Sequence, residues 1–241
     1  MSPTPSLQSR YAAIVCDLDG VVYRGPTAVP HAVEALRTSP LPVIYATNNA
    51  SRPPADVATH LRELGLPCDP ESVATSSQAG ARLIADRVPP GSSVLALGGP
   101  GVAVALREAG LTAVLPDAVD AHRLVAVLQG YGAQVTASHL AEAAYAVQAG
   151  ATWVATNTDA TLPTDRGVAP GNGSLVAAVQ RAVGRAPDLV AGKPSPPLYL
   201  MSADRLAVPA DRVLAVGDRL DTDIEGAVAA GMDSLLVLTG V

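Results

Sequence analysis

The sequence predicts an α/β fold built on a parallel β-sheet. Apolar runs of strand length alternate with segments of helical periodicity along the chain, which is typical of repeated βαβ units. The 241 residues are 49% apolar and 16% charged, so the chain is long enough and apolar enough to bury a sizeable core. Because no Pro- or Ser-rich linker interrupts the pattern, a second domain would have to be inserted into the first.

Six apolar runs are predicted as strands because of their length and their content of Val, Ile and Leu. In chain order they are Ala12–Cys16, Val43–Thr47, Val94–Leu97, Leu124–Leu128, Thr152–Ala155 and Val213–Val216.

Helices are predicted where Pro, Ser or Thr precedes a periodic apolar segment, and several of these segments are followed by Gly. They are His31–Thr38, 51–64 with Gly65 as its stop, Val102–Glu108, 138–149 capped by Ser138, 174–183 capped by Ser174, a helix that starts at 195–197, and Thr222–Ala230.

The charge balance argues against several classes of partner. A net charge of −6 does not suit nucleic acid, which needs a basic face, and no apolar run approaches the roughly 20 residues that cross a bilayer. The first ten residues lack the cationic start and apolar stretch of a secretion signal and are expected to form a solvated tail. Cys16 and Cys68 form no CxxC pair. We therefore expect a cytoplasmic protein with reduced thiols. We expect no nucleic-acid or membrane partner, and the assembly that we consider is a homodimer.

Four polar stretches stand out, each at the carboxyl end of a predicted strand. Alone, each also fits a structural role as a solvated loop, a cap, a turn or an acidic helix start. Together and in this order they predict a ligand site, because ligands bind at the carboxyl ends of the strands in open α/β sheets. The stretches are Asp17-Leu18-Asp19-Gly20, Thr47-Asn48-Asn49, Gly192-Lys193-Pro194, and Gly217-Asp218 with Asp221-Thr222-Asp223.

The acidic residues of this set predict a magnesium site. Clustering Asp17, Asp19 and Asp218 is costly unless a cation lies among them. Carboxylate oxygens with room for water suit Mg²⁺. Cys16 directly precedes Asp17, but strand alternation turns it to the other face and into the core, so no His or Cys is expected beside the carboxylates to favour zinc.

The remaining residues suit phosphoryl transfer. Lys193 provides a positive charge that faces the phosphoryl oxygens. The hydroxyl of Thr47 and the backbone N–H groups of Asn48 and Asn49 can hold one further phosphoryl oxygen. Asp17 can then attack phosphorus and form a covalent intermediate. Asp19 lies two residues further along an extended chain and can exchange protons with the leaving oxygen and with the hydrolytic water.

The segments DLDGVVYRG, TNNASR, GKPSPPLY and GDRLDTDIEGA resemble the four motifs of the haloacid dehalogenase (HAD) superfamily, and in particular its branch with an α/β cap. The resemblance runs from about Tyr11 to the last residue. It implies a Rossmann-like parallel-sheet core formed by 1–79 and 189–241, with an inserted α/β cap formed by 80–188. Members of this branch continue past the TGV that ends this sequence, so we expect either further residues after Val241 or a sheet without an edge strand.

The resemblance assigns the same roles to Asp17, Asp19, Thr47 and Lys193 as the chemical reasoning does. The second aspartate of DxD implies phosphatase rather than dehalogenase chemistry. The resemblance also implies Mg²⁺, with four residues at its site: Asp17, Asp19 through its backbone carbonyl, Asp218 and, behind these ligands, Asp223.

The segment TNTDATLPTDRGVAPGNGSLVAAV resembles the cap loop that selects the leaving group in this branch. Leu162 stands where pyridoxal-phosphate phosphatases have a His, and the run LPT-acid-RG with PGNGS is most similar to bacterial glycerol-3-phosphate phosphatases. Asp159, Arg166 and Asn172 are the candidates for substrate contact. For each of them a capped turn before a helix is the alternative.

We therefore expect Mg²⁺-dependent hydrolysis of a small polyol or hydroxyacid phosphate such as glycerol 3-phosphate. The alternatives are a phosphoglycolate or nucleotide phosphatase of the same fold and a phosphomutase, which would retain the phosphoryl group. A phosphoacceptor signalling domain uses similar residues, but it is much shorter and has no cap.

Overall fold

The computed structural model describes residues 9–121, 123–164 and 166–240. The predicted N-terminal tail, apart from its last two residues, lies outside this range, as do Asp165 of the predicted cap loop and Val241. The chain divides into two compact units. The first unit consists of the described parts of 1–47, 54–74 and 193–241, and the second unit consists of those of 48–53 and 75–192.

The first unit is built on a five-stranded sheet with the order β14-β13-β1-β4-β5. Its strands are β1 (Ala13–Cys16), β4 (Val43–Thr47), β5 (Val73–Thr75), β13 (Val213–Gly217) and β14 (Asp233–Leu236). Strand β1 pairs in parallel with both β4 and β13, and β13 pairs in parallel with β14. The carboxyl ends of the three inner strands therefore meet at one edge of the sheet.

Helices and a hairpin complete the first unit. They are α1 (Ala32–Arg37), α2 (Pro54–Glu63), α7 (Pro197–Leu206), α8 (Glu225–Ala229) and the antiparallel pair of β2 (Tyr23–Arg24) with β3 (Thr27–Ala28). Helix α2 buries Val57 and Leu61 in a core that also contains Leu18 and Tyr45. Cys16 is fully buried in the same core, as strand alternation predicts for the residue before Asp17.

The second unit has its own five-stranded parallel sheet with the order β12-β9-β8-β6-β7. Its strands are β6 (Ser93–Leu97), β7 (Thr112–Val114), β8 (Ala126–Gln129), β9 (Thr152–Ala155) and β12 (Leu189–Val190), and an antiparallel hairpin joins β10 (Thr161–Thr164) to β11 (Gly167–Pro170). Its helices pack as two pairs, α3 (Ser76–Ala85) with α4 (Pro100–Glu108) and α5 (Ala137–Gln148) with α6 (Asn172–Val183).

A short segment of the chain, 48–53, belongs to the second unit although its flanking residues belong to the first. The N–H of Gly101 donates to the carbonyl of Ser51 at 2.9 Å, and Ser76 Oγ donates to the carbonyl of Asn48 at 2.7 Å. A side chain at Gly101 would overlap the backbone of this segment, so glycine is required for the close approach. Residues 48–53 are thus tightly packed within the second unit.

The predicted α/β class and its parallel sheets are confirmed, but several boundaries differ. Strand β5 and helix α3 were not predicted, because Val73–Thr75 is too short a run and α3 begins with polar residues and contains Gly80. The predicted cap Ser138 is wrong: Thr136 caps α5, since its Oγ1 accepts from the N–H of His139 and His139 Nδ1 accepts in return.

Two further helix starts differ from the prediction. Helix α6 begins at Asn172 after an N-cap at Gly171, not after Ser174. The last predicted helix, Thr222–Ala230, is divided into a π-helical turn at Leu220–Ile224 and helix α8. The π-helical turn lies next to the predicted acidic cluster, and such turns are frequent at functional sites.

The second unit is wider than the predicted insertion of 80–188. It begins at Thr75, because Thr75 Oγ1 and the N–H of Gln78 form one half of a capping box that starts α3 before Gly80. It ends at Gly192, because β12 extends the sheet beyond Asp188. That this unit acts as a cap stays a prediction.

The helices and the cysteines were also compared with their predictions. No helix in the described part of the chain is long and apolar enough to span a bilayer. Both cysteines, Cys16 and Cys68, are free and buried.

Candidate active site

Three of the four polar stretches meet at the carboxyl edge of the first unit's sheet. Asp17 follows β1, Thr47 ends β4, and Asp218 follows β13. Because β1 lies between β4 and β13, these residues are neighbours, and the N–H of Asp17 donates to the carbonyl of Val216 at 2.8 Å.

Lys193 reaches the same edge by another route, so its predicted placement needs correction. It follows β12, which belongs to the sheet of the second unit, and it is the first residue of the segment that returns to the first unit. The strand that precedes Lys193 therefore contributes nothing to the sheet that carries Asp17, and the loop into α7 positions the lysine instead.

The Lys193 ammonium is the centre of a buried charge cluster. Its side chain is 3% exposed, and Nζ donates to Asp17 Oδ1, to Asp223 Oδ1 at 2.6 Å and to the carbonyl of Ala46 at 3.3 Å. Two carboxylates and one carbonyl thus replace the water that a buried ammonium has lost. Such a group is stable only with partners of this kind.

The pKa values in the cluster reflect burial and mutual charge. The pKa of Asp17 is raised to about 7. Burial is the largest cause; the Lys193 ammonium opposes the rise, and the Asp223 carboxylate adds to it. Burial by itself lowers the pKa of Lys193, but the carboxylates of Asp17 and Asp223 outweigh it and hold this pKa well above its usual value. The lysine therefore stays charged, and one cation faces more carboxylates than it can neutralise.

Three carboxylates are arranged as a cation site. Oxygens of Asp17, Asp218 and Asp223 lie within 4.8 Å of one another. The buried Oδ1 of Asp218 has no hydrogen-bond partner among the described residues, and burial followed by the Asp223 charge raises the pKa of Asp218. An all-oxygen donor set with one unsatisfied buried oxygen fits Mg²⁺.

Asp223 also organises the residues around it. Its Oδ2 accepts from the N–H groups of Asp218 at 3.3 Å and Arg219 at 3.1 Å, while Oδ1 accepts from Lys193. Tyr199 Oη donates to the Asp223 carbonyl at 3.1 Å, a contact that no sequence pattern indicated. Both oxygens of Asp223 thus have protein partners, and the place of Asp223 behind the metal ligands stays a prediction.

Two glycines leave the space that the Asp218 carboxylate occupies. Gly20 has a φ of 87°, and a side chain there or at Gly240 would overlap Asp218 Oδ2. Thr239 Oγ1 donates to the Gly20 carbonyl at 2.9 Å, and Arg24 Nε donates to the Thr239 carbonyl at 3.0 Å. This role of Gly20 was not predicted from the sequence, although a glycine directly after DxD was a usable signal.

Asp19, Thr47 and the two residues after Thr47 differ in their exposure to solvent. Asp19 is exposed and forms an isolated bridge with Tyr23. Thr47 is buried, whereas Asn48 and Asn49 are half-buried. Asn49 Oδ1 accepts from both the N–H and the hydroxyl of Ser51, at 3.0 Å and 2.7 Å, so this side chain shapes the turn. The roles of Asp19, Thr47, Asn48 and Asn49 in binding and catalysis stay predictions.

The candidates for substrate contact in the second unit have different surroundings. Asp159 is half-buried, and its Oδ2 accepts from Asn48 Nδ2 at 3.0 Å. Arg166 is exposed at the turn between β10 and β11. Asn172 is 2% exposed, its Nδ2 donates to the carbonyls of Gln129 and Asn157, and its buried Oδ1 has no hydrogen-bond partner among the described residues. Substrate contact by Asn172 stays a prediction.

Family models match both ends of the chain. A model described as haloacid dehalogenase-like hydrolase matches residues 14–112, and one described as HAD-hydrolase-like matches residues 190–241. The two matches contain Asp17, Thr47, Lys193 and Asp218.

Relatives of known activity are similar over nearly the whole chain. The D-glycerol 3-phosphate phosphatase of Mycobacterium tuberculosis is 46% identical over 238 residues, which is 98% of this chain and 65% of the relative. The present chain therefore spans about two thirds of that protein's length. An acid sugar phosphatase of Staphylococcus aureus is 38% identical over 235 residues, covering 96% of this chain and 88% of the relative.

Solved structures agree with these similarities. Glycerol phosphate phosphatase from Mycobacterium tuberculosis in complex with magnesium has a TM-score of 0.92 and 46% identity, covering 98% of this chain and 70% of that one. The p-nitrophenyl phosphatase from Archaeoglobus fulgidus has a TM-score of 0.87 and 31% identity, covering 96% and 87% of the two chains.

The close approach of Gly20 to the Asp218 carboxylate leads to a prediction about magnesium affinity. Gly20→Ala should weaken Mg²⁺ binding by about tenfold or more, because the new methyl group displaces the Asp218 carboxylate. Gly25→Ala is the matched control: it also has a positive φ, of 56°, but a side chain there meets nothing within 4 Å. Isothermal titration calorimetry with MgCl₂ measures both. An equal loss of affinity in the two variants would mean that backbone strain, and not the overlap, is responsible.

Proposed function

Because the chain belongs to the haloacid dehalogenase-like hydrolases, we propose that it is a Mg²⁺-dependent phosphate monoester hydrolase that forms an aspartyl-phosphate on Asp17. The observation that carries the proposal is the buried Lys193 ammonium, which joins Asp17 and Asp223 beside the unsatisfied oxygen of Asp218. This arrangement combines a nucleophile, a fixed positive charge and a cation site in one place.

Binding of the phosphate group relies on charge neutralisation. The three acidic residues of the site would repel a phosphate dianion, so Asp17, Asp218 and the carbonyl of Asp19 are proposed to hold Mg²⁺, with Asp223 behind them. When bound, Mg²⁺ screens the carboxylates and polarises the phosphoryl group. Lys193 faces the phosphoryl oxygens, and Thr47 with the N–H groups of the next two residues holds another oxygen.

The first half-reaction is proposed to transfer the phosphoryl group to Asp17. A carboxylate oxygen of Asp17 attacks phosphorus, and the bond from phosphorus to the ester oxygen breaks. Asp19 gives its proton to the departing alkoxide, so the alcohol leaves neutral. Lys193 keeps its proton throughout, because its pKa lies well above its usual value, and balances the charge that spreads over the phosphoryl oxygens.

The second half-reaction returns the enzyme to its starting state. The Asp19 carboxylate takes a proton from water, whose oxygen attacks phosphorus, and the bond from phosphorus to the Asp17 oxygen breaks. Inorganic phosphate leaves, with Asp17 ionised and Asp19 protonated again. The exposure of Asp19 supports this role, because the residue must meet both the leaving group and water.

The proposed substrate is a small polyol phosphate, with glycerol 3-phosphate first. Support comes from the relatives named as glycerol phosphate and sugar phosphatases, and from Asp159 and Arg166, which offer short polar contacts. A phosphoglycolate or nucleotide phosphatase of the same fold is the alternative. A phosphomutase would keep the phosphoryl group, and release of free phosphate excludes it.

A cytoplasmic location and a homodimer stay predictions. The free thiols of Cys16 and Cys68 are compatible with a reducing compartment. Size-exclusion chromatography with light scattering measures the assembly state directly.

The nucleophile assignment is tested with Asp17→Asn. The amide cannot attack phosphorus, so phosphate release from p-nitrophenyl phosphate with Mg²⁺ should fall by about three orders of magnitude or more. The melting temperature should not fall, because one of several crowded carboxylates has been neutralised. Asp211→Asn, an exposed residue of the same unit, serves as the control and should keep full activity. Residual activity of Asp17→Asn within about tenfold of the parent would remove Asp17 from this role.

Metal exchange gives a second prediction. Chelation should abolish phosphate release and MgCl₂ should restore it, whereas CaCl₂ should bind and inhibit. Calcium takes six to eight oxygens at longer distances, so both oxygens of Asp17 would be engaged and neither could attack. Activity is measured after exhaustive dialysis against chelator. Undiminished turnover in the dialysed protein would overturn the metal assignment.

The substrate proposal is tested with a panel of esters ranked by kcat/KM. Glycerol 3-phosphate should come first, because a site that hydrogen-bonds its hydroxyls disfavours an ester without them. Phosphoglycolate should come second, ahead of pyridoxal 5′-phosphate and nucleotides, because Leu162 stands where pyridoxal-phosphate phosphatases have a His. Arg166→Ala should harm phosphoglycolate more than glycerol 3-phosphate if the guanidinium meets the substrate carboxylate. A nucleotide or pyridoxal 5′-phosphate at the top of the ranking would contradict the substrate class and leave the catalytic assignment intact.

A further inference from the structure

Three residues of the second unit form a closed ring of hydrogen bonds. Asn157 Nδ2 donates to the carbonyl of Asn48 at 2.7 Å, and Asn157 Oδ1 accepts from the N–H of Asp159 at 3.2 Å. Asn48 Nδ2 donates to Asp159 Oδ2 at 3.0 Å and closes the ring. One carboxamide therefore links the segment 48–53 to the loop that follows β9.

The ring is anchored in the interior of the unit. Asn157 is 5% exposed, and its carbonyl accepts from Asn172 Nδ2 at 2.7 Å. The Asn48 carbonyl also accepts from Ser76 Oγ at the start of α3, again at 2.7 Å. Breaking a hydrogen bond of a buried amide leaves its partner unsatisfied, which costs more than the bond itself contributes. The spacing between Asn48 and Asp159 is thus set by buried groups.

The two residues that the ring holds have complementary chemistry. Asn48 follows Thr47 directly and is proposed to hold a phosphoryl oxygen through its N–H. Asp159 carries an acceptor-only carboxylate, which suits a hydroxyl donor. With both residues in one ring, an ester whose hydroxyl lies at the matching distance from its phosphate satisfies both, and an ester without that hydroxyl satisfies only one.

We propose that Asn157 is a positioning residue that selects small polyol phosphates by fixing the distance from Asn48 to Asp159. The proposal rests on the proposed function. The side chain of Asn157 bonds to Asn48 and Asp159, and neither of them is a reacting group or a proposed metal ligand. Asn157 therefore acts through the two residues that it joins.

The test uses variants that break the ring at different bonds. Asn157→Ala removes both side-chain bonds, whereas Asn157→Asp keeps an acceptor for the Asp159 N–H but loses the donor to the Asn48 carbonyl. Thr158→Ala is the matched control, because Thr158 is an exposed residue of the same loop. Asn48→Ala opens the opposite side of the ring from a half-buried position and replaces Asn157→Ala if that variant does not fold.

Two readouts separate positioning from general stability. The first is the ratio of kcat/KM for glycerol 3-phosphate to that for p-nitrophenyl phosphate, which has no hydroxyl to place. Asn157→Ala and Asn157→Asp should lower this ratio by about tenfold or more. The second is hydrogen–deuterium exchange of peptides covering 48–53, which should quicken in both variants. Thr158→Ala should change neither readout.

The outcomes decide the proposal. An equal loss of kcat/KM for the two esters would reduce Asn157 to a structural residue, and unchanged exchange in 48–53 would refute the anchoring. A parent protein that releases phosphate from neither ester overturns the proposed function itself. A parent that hydrolyses p-nitrophenyl phosphate but not glycerol 3-phosphate leaves the catalytic proposal standing and overturns the selection of polyol phosphates by the ring.

Discussion

The buried ion pair network of Lys193 is the constraint on which the site depends. One ammonium joins Asp17 and Asp223 and also meets the carbonyl of Ala46, so the ends of β1 and β4 and the turn after β13 share a single cation. Removal of the lysine would leave two carboxylates buried without a counter-charge, which is among the costliest changes in a protein interior. The same network leaves the acids in excess, and a cation bound among Asp17, Asp218 and Asp223 would neutralise that excess.

The sequence predicted the fold class and most of the charged cluster because both follow from short-range patterns. Asp17, Thr47 and Asp218 directly follow or end strands of one parallel sheet, so their meeting could be inferred from strand order alone. Lys193 could not be placed in this way, because its preceding strand belongs to a different sheet. The motif was identified correctly, but the topology that delivers the lysine was not.

The parts that escaped prediction depend on long-range contacts. Tyr199 in α7 donates a hydrogen bond to the carbonyl of Asp223. The ring of Asn48, Asn157 and Asp159 joins segments more than 100 residues apart in sequence. A lone Asn in a loop has no pattern that distinguishes a buried bridge from a solvated turn. Gly20 was within reach of sequence reasoning, because a glycine directly after an acidic pair indicates a positive φ or a close backbone approach, and the structure has both.

The division of the chain at Thr47 and Asn48 has a consequence for protein engineering. Because 48–53 belongs to the second unit, that unit is formed by two separate stretches of sequence. The chain therefore crosses from one unit to the other at four peptide bonds. A chimera that exchanges only 75–192 for the equivalent part of a relative would pair a foreign unit with the resident 48–53. Gly101 and Ser76 illustrate why: each contacts that short segment directly. Recombination libraries for altered specificity should therefore move 48–53 together with 75–192 as one inherited block.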